Sequence, residues 1–269
     1  MDKDKKYKFV FDSAEKFLNE IIDEHKLDHS IIKGLMLHQQ KFEDLFDALR
    51  RLIVSLQNRG MMSRVIQFEN REKEIKPILF NYDFNKILAT YKDASELLEK
   101  FKNKKEFNLQ NTQSKGNLWR IFSEGIISGS TFVASFQNKD DFDSFVKSFF
   151  YDKYTKAALP MLLSKEIHGF GFPLSCDFLK ELGYRDYPKA DVHLITIFYE
   201  LGLSGSTEPY EVYKSIIEMV EVVGKDAFTV DKIFWLIGSG KLVGDKSIGD
   251  YRDKFIKRTK MEMDKILLS

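Results

Sequence analysis

The chain has 269 residues, 43% of them apolar, with 42 basic and 41 acidic side chains and a formal net charge of +1. That length supports one large or two small domains with real hydrophobic cores, and near-neutrality means that any nucleic acid must be held by a local basic face. The single cysteine, Cys176, excludes an intramolecular disulfide and a four-thiolate cluster and reads as a buried structural thiol. No apolar run approaches the roughly 18 residues of a membrane span. The opening MDKDKKYKF lacks the apolar stretch of a signal peptide, so a cytoplasmic protein is expected.

Only five prolines interrupt the chain, and apolar residues recur at three- and four-residue steps, which predicts an all-α protein. Residues 1–38 read as an N-terminal helical extension, 39–245 as the core and 246–269 as a C-terminal basic helix. HKLDH sets His25 and His29 one helical turn apart, but Lys26 stands where a metalloprotease needs Glu, so the two read as a surface pair. FEDLFDALRRLIVSLQN carries Phe42, Leu45, Phe46, Leu49, Leu52 and Ile53 on one stripe, a core helix ending near Gly60. Asp93 and Glu96 form the pattern of a capping box, and Lys102, Lys104 and Lys105 follow as a basic patch or a solvated face. Trp119 and Phe122 lie in a helical segment as core residues, Asn138 opens the next helix, and ALPMLLSKEI is interrupted or started near Pro160.

After the stretch HGFGFPLS, from His168 to Ser175, come DVHLITIFYELGL, helical up to Gly202, and EPYEVYKSIIEMVEVVG, with proline at its first turn and Gly224 past its last. DAFTVDKIFWLIGSG is a short apolar helix with Thr229 as N-cap and Trp235 as a core residue, and the GSGK ending at Lys241 lacks the remaining residues of a P-loop. The tail RDKFIKRTK, with Arg252, Lys254, Lys257, Arg258 and Lys260, is a second basic patch or solvated face.

Within HGFGFPLS the fixed φ of Pro173 suits a first helical position, so a second helix runs from Pro173 to Leu182 and Gly183 closes it. The turn is His168 to Phe172. Gly169 and Gly171 can both take positive φ and leave amides uncovered for a phosphate, while Phe170 can point into the core. An ordinary αα-hairpin also favours glycine. Downstream, Asp191 in PKADVH is placed to cap the helix that follows.

IHGFGFPLS, FLKELG and PKADVH together resemble the helix-hairpin-helix DNA glycosylase superfamily, whose members show LPGVGxxTA, a helix and then PVDxH. The likeness is to the endonuclease III-like branch, without its iron-sulfur cluster. It implies two helical subdomains with the active site in the cleft between them, a hairpin over 160–183 and a catalytic loop over 184–193. It makes Asp191 the catalytic carboxylate, with His193 beside it, and the amides of Gly169, Phe170, Gly171, Phe172 and Leu174 a DNA-phosphate contact. A monovalent cation at the hairpin backbone is a further implication. FEDLFDALRRLIVSLQN matches the family's FExLVxxILSQQT more weakly and puts Gln57 where a glutamine fills the gap left by an extruded base.

In that branch a lysine stands eighteen residues before the aspartate, and here the position is Pro173. Proline cannot form a Schiff base, so a monofunctional glycosylase is expected, with Lys165 and Lys189 flanking the site as alternative lyase lysines. The expected partner is duplex DNA with a damaged or mismatched base, flipped into a pocket by a monomeric base-excision repair enzyme of the prokaryotic cytoplasm, acting at the nucleoid. The competing class is a non-catalytic helix-hairpin-helix DNA-binding protein.

Overall fold

The computed structural model describes residues 1–37, 42–107, 109, 114–242 and 247–268, and every regular element among them is helical. In chain order the α-helices are α1 (Lys3–Glu24), α2 (Ser30–Leu37), α3 (Leu45–Gln57), α4 (Met62–Ile66), α5 (Phe68–Ile78), α6 (Phe84–Thr90), α7 (Ala94–Lys102) and α8 (Leu118–Ala134). They continue as α9 (Lys139–Lys147), α10 (Lys153–Glu166), α11 (Phe172–Glu181), α12 (Val192–Glu200), α13 (Pro209–Val223), α14 (Ala227–Ser239) and α15 (Arg252–Leu268). None of the described helices is long and apolar enough to cross a membrane. Two compact units result, one of Gln40–Gly183 and one joining Met1–Gln39 to Tyr184–Ser269. The boundaries expected near 38 and 245 lie outside the described residues.

In the unit of Gln40–Gly183, α3 packs against α8 and α11. Leu49, Leu52, Ile53 and Leu56 of α3 are fully buried, each stabilising the fold by about 2 kcal/mol of apolar transfer. The close approach depends on glycines: a Cβ on Gly129 would stand 2.7 Å from Leu52 Cδ2, and one on Gly125 2.3 Å from Leu56 Cδ2. Phe46, expected on the core stripe, is 39% exposed and leans on Phe84 instead. Trp119 and Phe122 are buried with Phe101, as expected. The Asp93 cap accepts from the amides of Ser95 and Glu96, while Glu96 reaches back to Lys92 N–H. Pro160 neither starts nor interrupts α10, which begins seven residues earlier at Lys153 on the Asp152–Thr155 capping box and runs through the proline.

In the other unit α14 is the hub, packing against α1, α12, α13 and α15. Phe234 of α14 lies 6.5 Å from Phe11, 5.3 Å from Phe198 and 6.2 Å from Phe255, ring centre to ring centre. Thus α1, within the expected extension, belongs to this core through Tyr7, Val10, Phe11, Ala14 and Leu18. The cap of α14 is Asp226 rather than Thr229; Asp226 accepts from Thr229 N–H, and the threonine hydroxyl bonds the same carboxylate. The carboxylate wins because it can accept both bonds at once. Trp235 is half-buried, with Lys232 over its ring at 4.6 Å, and GSGK is the C-terminus of α14, where Gly240 takes φ 66°. A helix C-terminus repels rather than attracts phosphate.

Candidate active site

The hairpin is α10, a turn over residues 167–171, and α11. Gly169 takes φ +87°, but Gly171 does not use its freedom: it is the extended N-cap of α11 at φ −115°. The helix therefore starts at Phe172 with Pro173 in its first turn, and Gly183 at φ +102° ends it. A Cβ on Gly169 would meet Leu56 at 2.9 Å and Ile121 at 3.2 Å, so this glycine is also needed for packing. Phe170 is buried edge-on against Phe178, centroids 6.0 Å apart, and pins the turn. α8 grips the turn as well, because Ser128 Oγ accepts from His168 N–H at 2.8 Å and Glu124 pairs with His168 Nε2 at 2.9 Å.

Of the five amides expected to face a phosphate, those of Phe170 and Leu174 are bonded within the hairpin, to Ile167 O and Gly171 O. Those of Gly169 and Gly171 have no acceptor among the described residues. Arg59, which sequence reasoning passed over, adds a cation here: its Nη1 is 3.4 Å from the position of a Cβ on residue 169. Its guanidinium is exposed and has no partner among the described residues. Only its place just past the end of a polar helix terminus, SLQNR, could have flagged it. Gln57 is not presented to a ligand. It is 5% exposed and its Oε1 accepts from Phe68 N–H at 2.9 Å, so it caps α5 from inside the unit, and Asn58 is the exposed polar side chain beside it. The open N-terminus of α5 has no cap of its own, which makes Gln57 worth more inside than outside.

The loop over 184–193 is held from α14. Arg185 pairs with Asp226 at 2.8 Å, lies 4.4 Å above the Phe228 ring and donates to Met36 O of α2, and its carbonyl accepts from Phe228 N–H. Lys189 N–H donates to Asp231 Oδ2 at 2.7 Å. Asp191 then caps α12, its Oδ1 accepting from the amides of His193 at 2.9 Å and Leu194 at 3.3 Å. His193 rests on Gly238, where a Cβ would stand 2.5 Å from the histidine Cβ, and its buried Nδ1 has no hydrogen-bond partner. Burial raises the Asp191 carboxyl above the usual range, and the nearby charge of Asp231 raises it further; His193, the Leu194 amide and Lys189 oppose the shift. Asp231 was not anticipated: it reads as one more polar residue on an apolar helix, yet it is 2% exposed.

Lys165 is exposed in the last turn of α10 and Lys189 is half-buried, two residues from Asp191. The tail cations are largely spoken for: Arg252 pairs with Asp253, Arg258 with Glu20 and Glu262, and Lys260 with Glu200. His25 turns to Tyr251 and His29 to Asp23. No group of three or more His, Cys, Asp or Glu able to hold a metal ion occurs among the described residues.

The architecture is the helical fold of DNA glycosylases. It is similar to that of the Methanocaldococcus jannaschii 8-oxoguanine glycosylase/lyase in complex with a 15mer DNA containing 8-oxoguanine, at a TM-score of 0.54 and 18% identity over 85% of this chain and 98% of that one. The M. jannaschii 8-oxoguanine DNA glycosylase gives a TM-score of 0.53 at 18% identity, over 85% and 94% of the two chains. No family model matches the sequence, and neither does any curated protein. Identity this low carries the fold alone, so chemistry must come from the residues.

Proposed function

We propose that the chain is a DNA glycosylase that hydrolyses the N-glycosidic bond of a damaged base with Asp191. The observation that carries this reading is a half-buried carboxylate with a raised pKa, fixed at a helix N-terminus in the fold shared with two structures of M. jannaschii 8-oxoguanine glycosylase. As the C1′–N bond breaks, its electron pair leaves with the base and positive charge develops on the sugar. The Asp191 carboxylate stabilises that charge. Water then bonds to C1′ and gives up a proton, for which a carboxylate of raised basicity is the better acceptor, and the departing base is protonated from solvent.

The free amides of Gly169 and Gly171 with the Arg59 guanidinium supply the phosphate contact, and binding weakens with salt accordingly. The monovalent cation implied by the family would sit on hairpin carbonyls. Gly171 O already accepts from Leu174 and Ser175 N–H, and Ile167 O from Phe170 N–H; no step above is routed through that ion.

Pro173 supports hydrolysis without strand cleavage, and its spacing from Asp191 supports the endonuclease III-like branch. A second reading, with lyase activity through Lys189 or Lys165, is favoured by the glycosylase/lyase name of one structural neighbour. Borohydride trapping on lesion duplexes separates the two, since only the lyase gives a covalent complex. The primary test is a set of duplexes with one lesion each, headed by the 8-oxoguanine of that neighbour's complex and read as alkali-labile abasic sites. Base release by the wild type and none by Asp191→Asn supports the proposal; release undiminished by that substitution removes Asp191 from it.

A further inference from the structure

We infer that Asp231 is the positioning residue of the catalytic loop, holding Lys189 N–H so that Asp191 meets the sugar from a fixed backbone and beside a second carboxylate. The inference deepens the reading of Asp191 given above and rests on it for its bearing on catalysis. Three observations combine. Asp231 is one of the most buried charged side chains described, at 2% exposure, and a carboxylate is removed from water only where it is repaid by hydrogen bonds. Part of that return is the 2.7 Å bond from Lys189 N–H, and a charge-assisted bond of this length is stronger than a neutral one. Finally, Gly238, which gives His193 its seat, stands seven residues on from Asp231 along α14. Two helical turns put both on one face. The same stripe of α14 thus touches the loop just before Asp191 and the helix just after it.

The charged groups acting on Asp191 include Asp231 from α14, His193 from α12 and Lys189 from the loop, and the Lys189 peptide links the two carboxylates: its N–H donates to Asp231 and its carbonyl accepts from Asp191 N–H at 2.8 Å. Asp231 has the sign that works against ionisation of Asp191, so its charge makes the catalytic carboxylate a stronger base, while its hydrogen bond sets where that base stands. A structural residue alone would do only the second.

Asp231→Asn keeps an oxygen for Lys189 N–H and removes the charge; Asp231→Ala removes both. The Asp191 carboxyl carbon is followed by NMR through a pH titration in the full chain. With Asn, its midpoint should fall by about half a pH unit or more as the like charge is lost, and an unmoved midpoint overturns the inference. In base release, the acid limb of the Asn variant should shift the same way, whereas the Ala variant should lose about tenfold or more in rate with duplex binding retained. Equal rates for Ala and wild type also overturn it. Hydrogen exchange at the Lys189 amide of the unaltered protein needs no variant: protection supports the contact, and exchange at the rate of an open loop refutes it. Because the titration and the exchange need no substrate, a protein that releases no base but passes both retains the Asp231–Asp191 pair and loses only the glycosylase reading.

Discussion

Asp191 is asked to do two things, and Asn and Ala substitutions separate them. Its Oδ1 accepts two amides at the start of α12, at 2.9 and 3.3 Å. Asparagine caps as well as aspartate, whereas alanine removes the cap at about 1 kcal/mol, which lowers the melting temperature by about 2–4 °C in a chain of this size. The charge acts in the opposite sense. Burial raises the carboxyl in the folded state, so the folded protein holds its proton more tightly than the unfolded chain. That contribution to stability is present below the unfolded value and is lost as pH rises through the raised folded one. At neutral pH the ionised carboxylate is therefore a cost, and Asp191→Asn should melt no lower than wild type while Asp191→Ala melts below Asn. Both should lose base release by about 10²-fold or more. Calorimetry at pH 7 and at low pH, with single-turnover base release, reads both effects. Equal melting of Asn and Ala would refute the cap, and an Asn variant less stable than wild type at pH 7 but not at low pH would refute the sign assigned to the charge.

Gly125→Ala puts a methyl group 2.8 Å from the His168 carbonyl, a backbone atom that cannot step aside, so thermal unfolding should show a loss of about 1–3 kcal/mol. Affinity for undamaged duplex should fall with it, since the displaced atoms are those of the hairpin turn. Pro173→Lys should create a borohydride-trappable complex with abasic DNA if this position matches that of the lyase lysine; absence of trapping rejects the match. Glu72 is held down at about 2 by hydrogen bonds from Arg50 at 2.6 and 2.8 Å, with Tyr82 also donating. Its contribution is present above the ordinary 4.5 and fades as pH falls toward about 2. Glu72→Gln should accordingly melt below wild type at pH 7 and match it at the acid end.

The local grammar of the chain determined its helices, because helix starts and stops are written in single residues: Asp93, Asn138 and Asp191 are caps, and Gly183, Gly202, Gly224 and Gly240 end helices at positive φ. It also determined the turn pinned by Phe170 and the order of hairpin, loop and aspartate. Other features were settled only by packing. Gln57 and Arg59 lie two residues apart, and nothing in the sequence says that the amide turns inward to cap α5 while the cation turns out beside Gly169. Gly171 could have taken positive φ, but as the N-cap of α11 it is extended. Asp231 and Asp191 are forty residues apart in the sequence and become electrostatic neighbours only because α14 is the hub of its unit. Caps and turns depend on neighbours three or four residues away, which a sequence displays; the direction a side chain faces and the carboxylate that stands beside another depend on helices folded back from far along the chain.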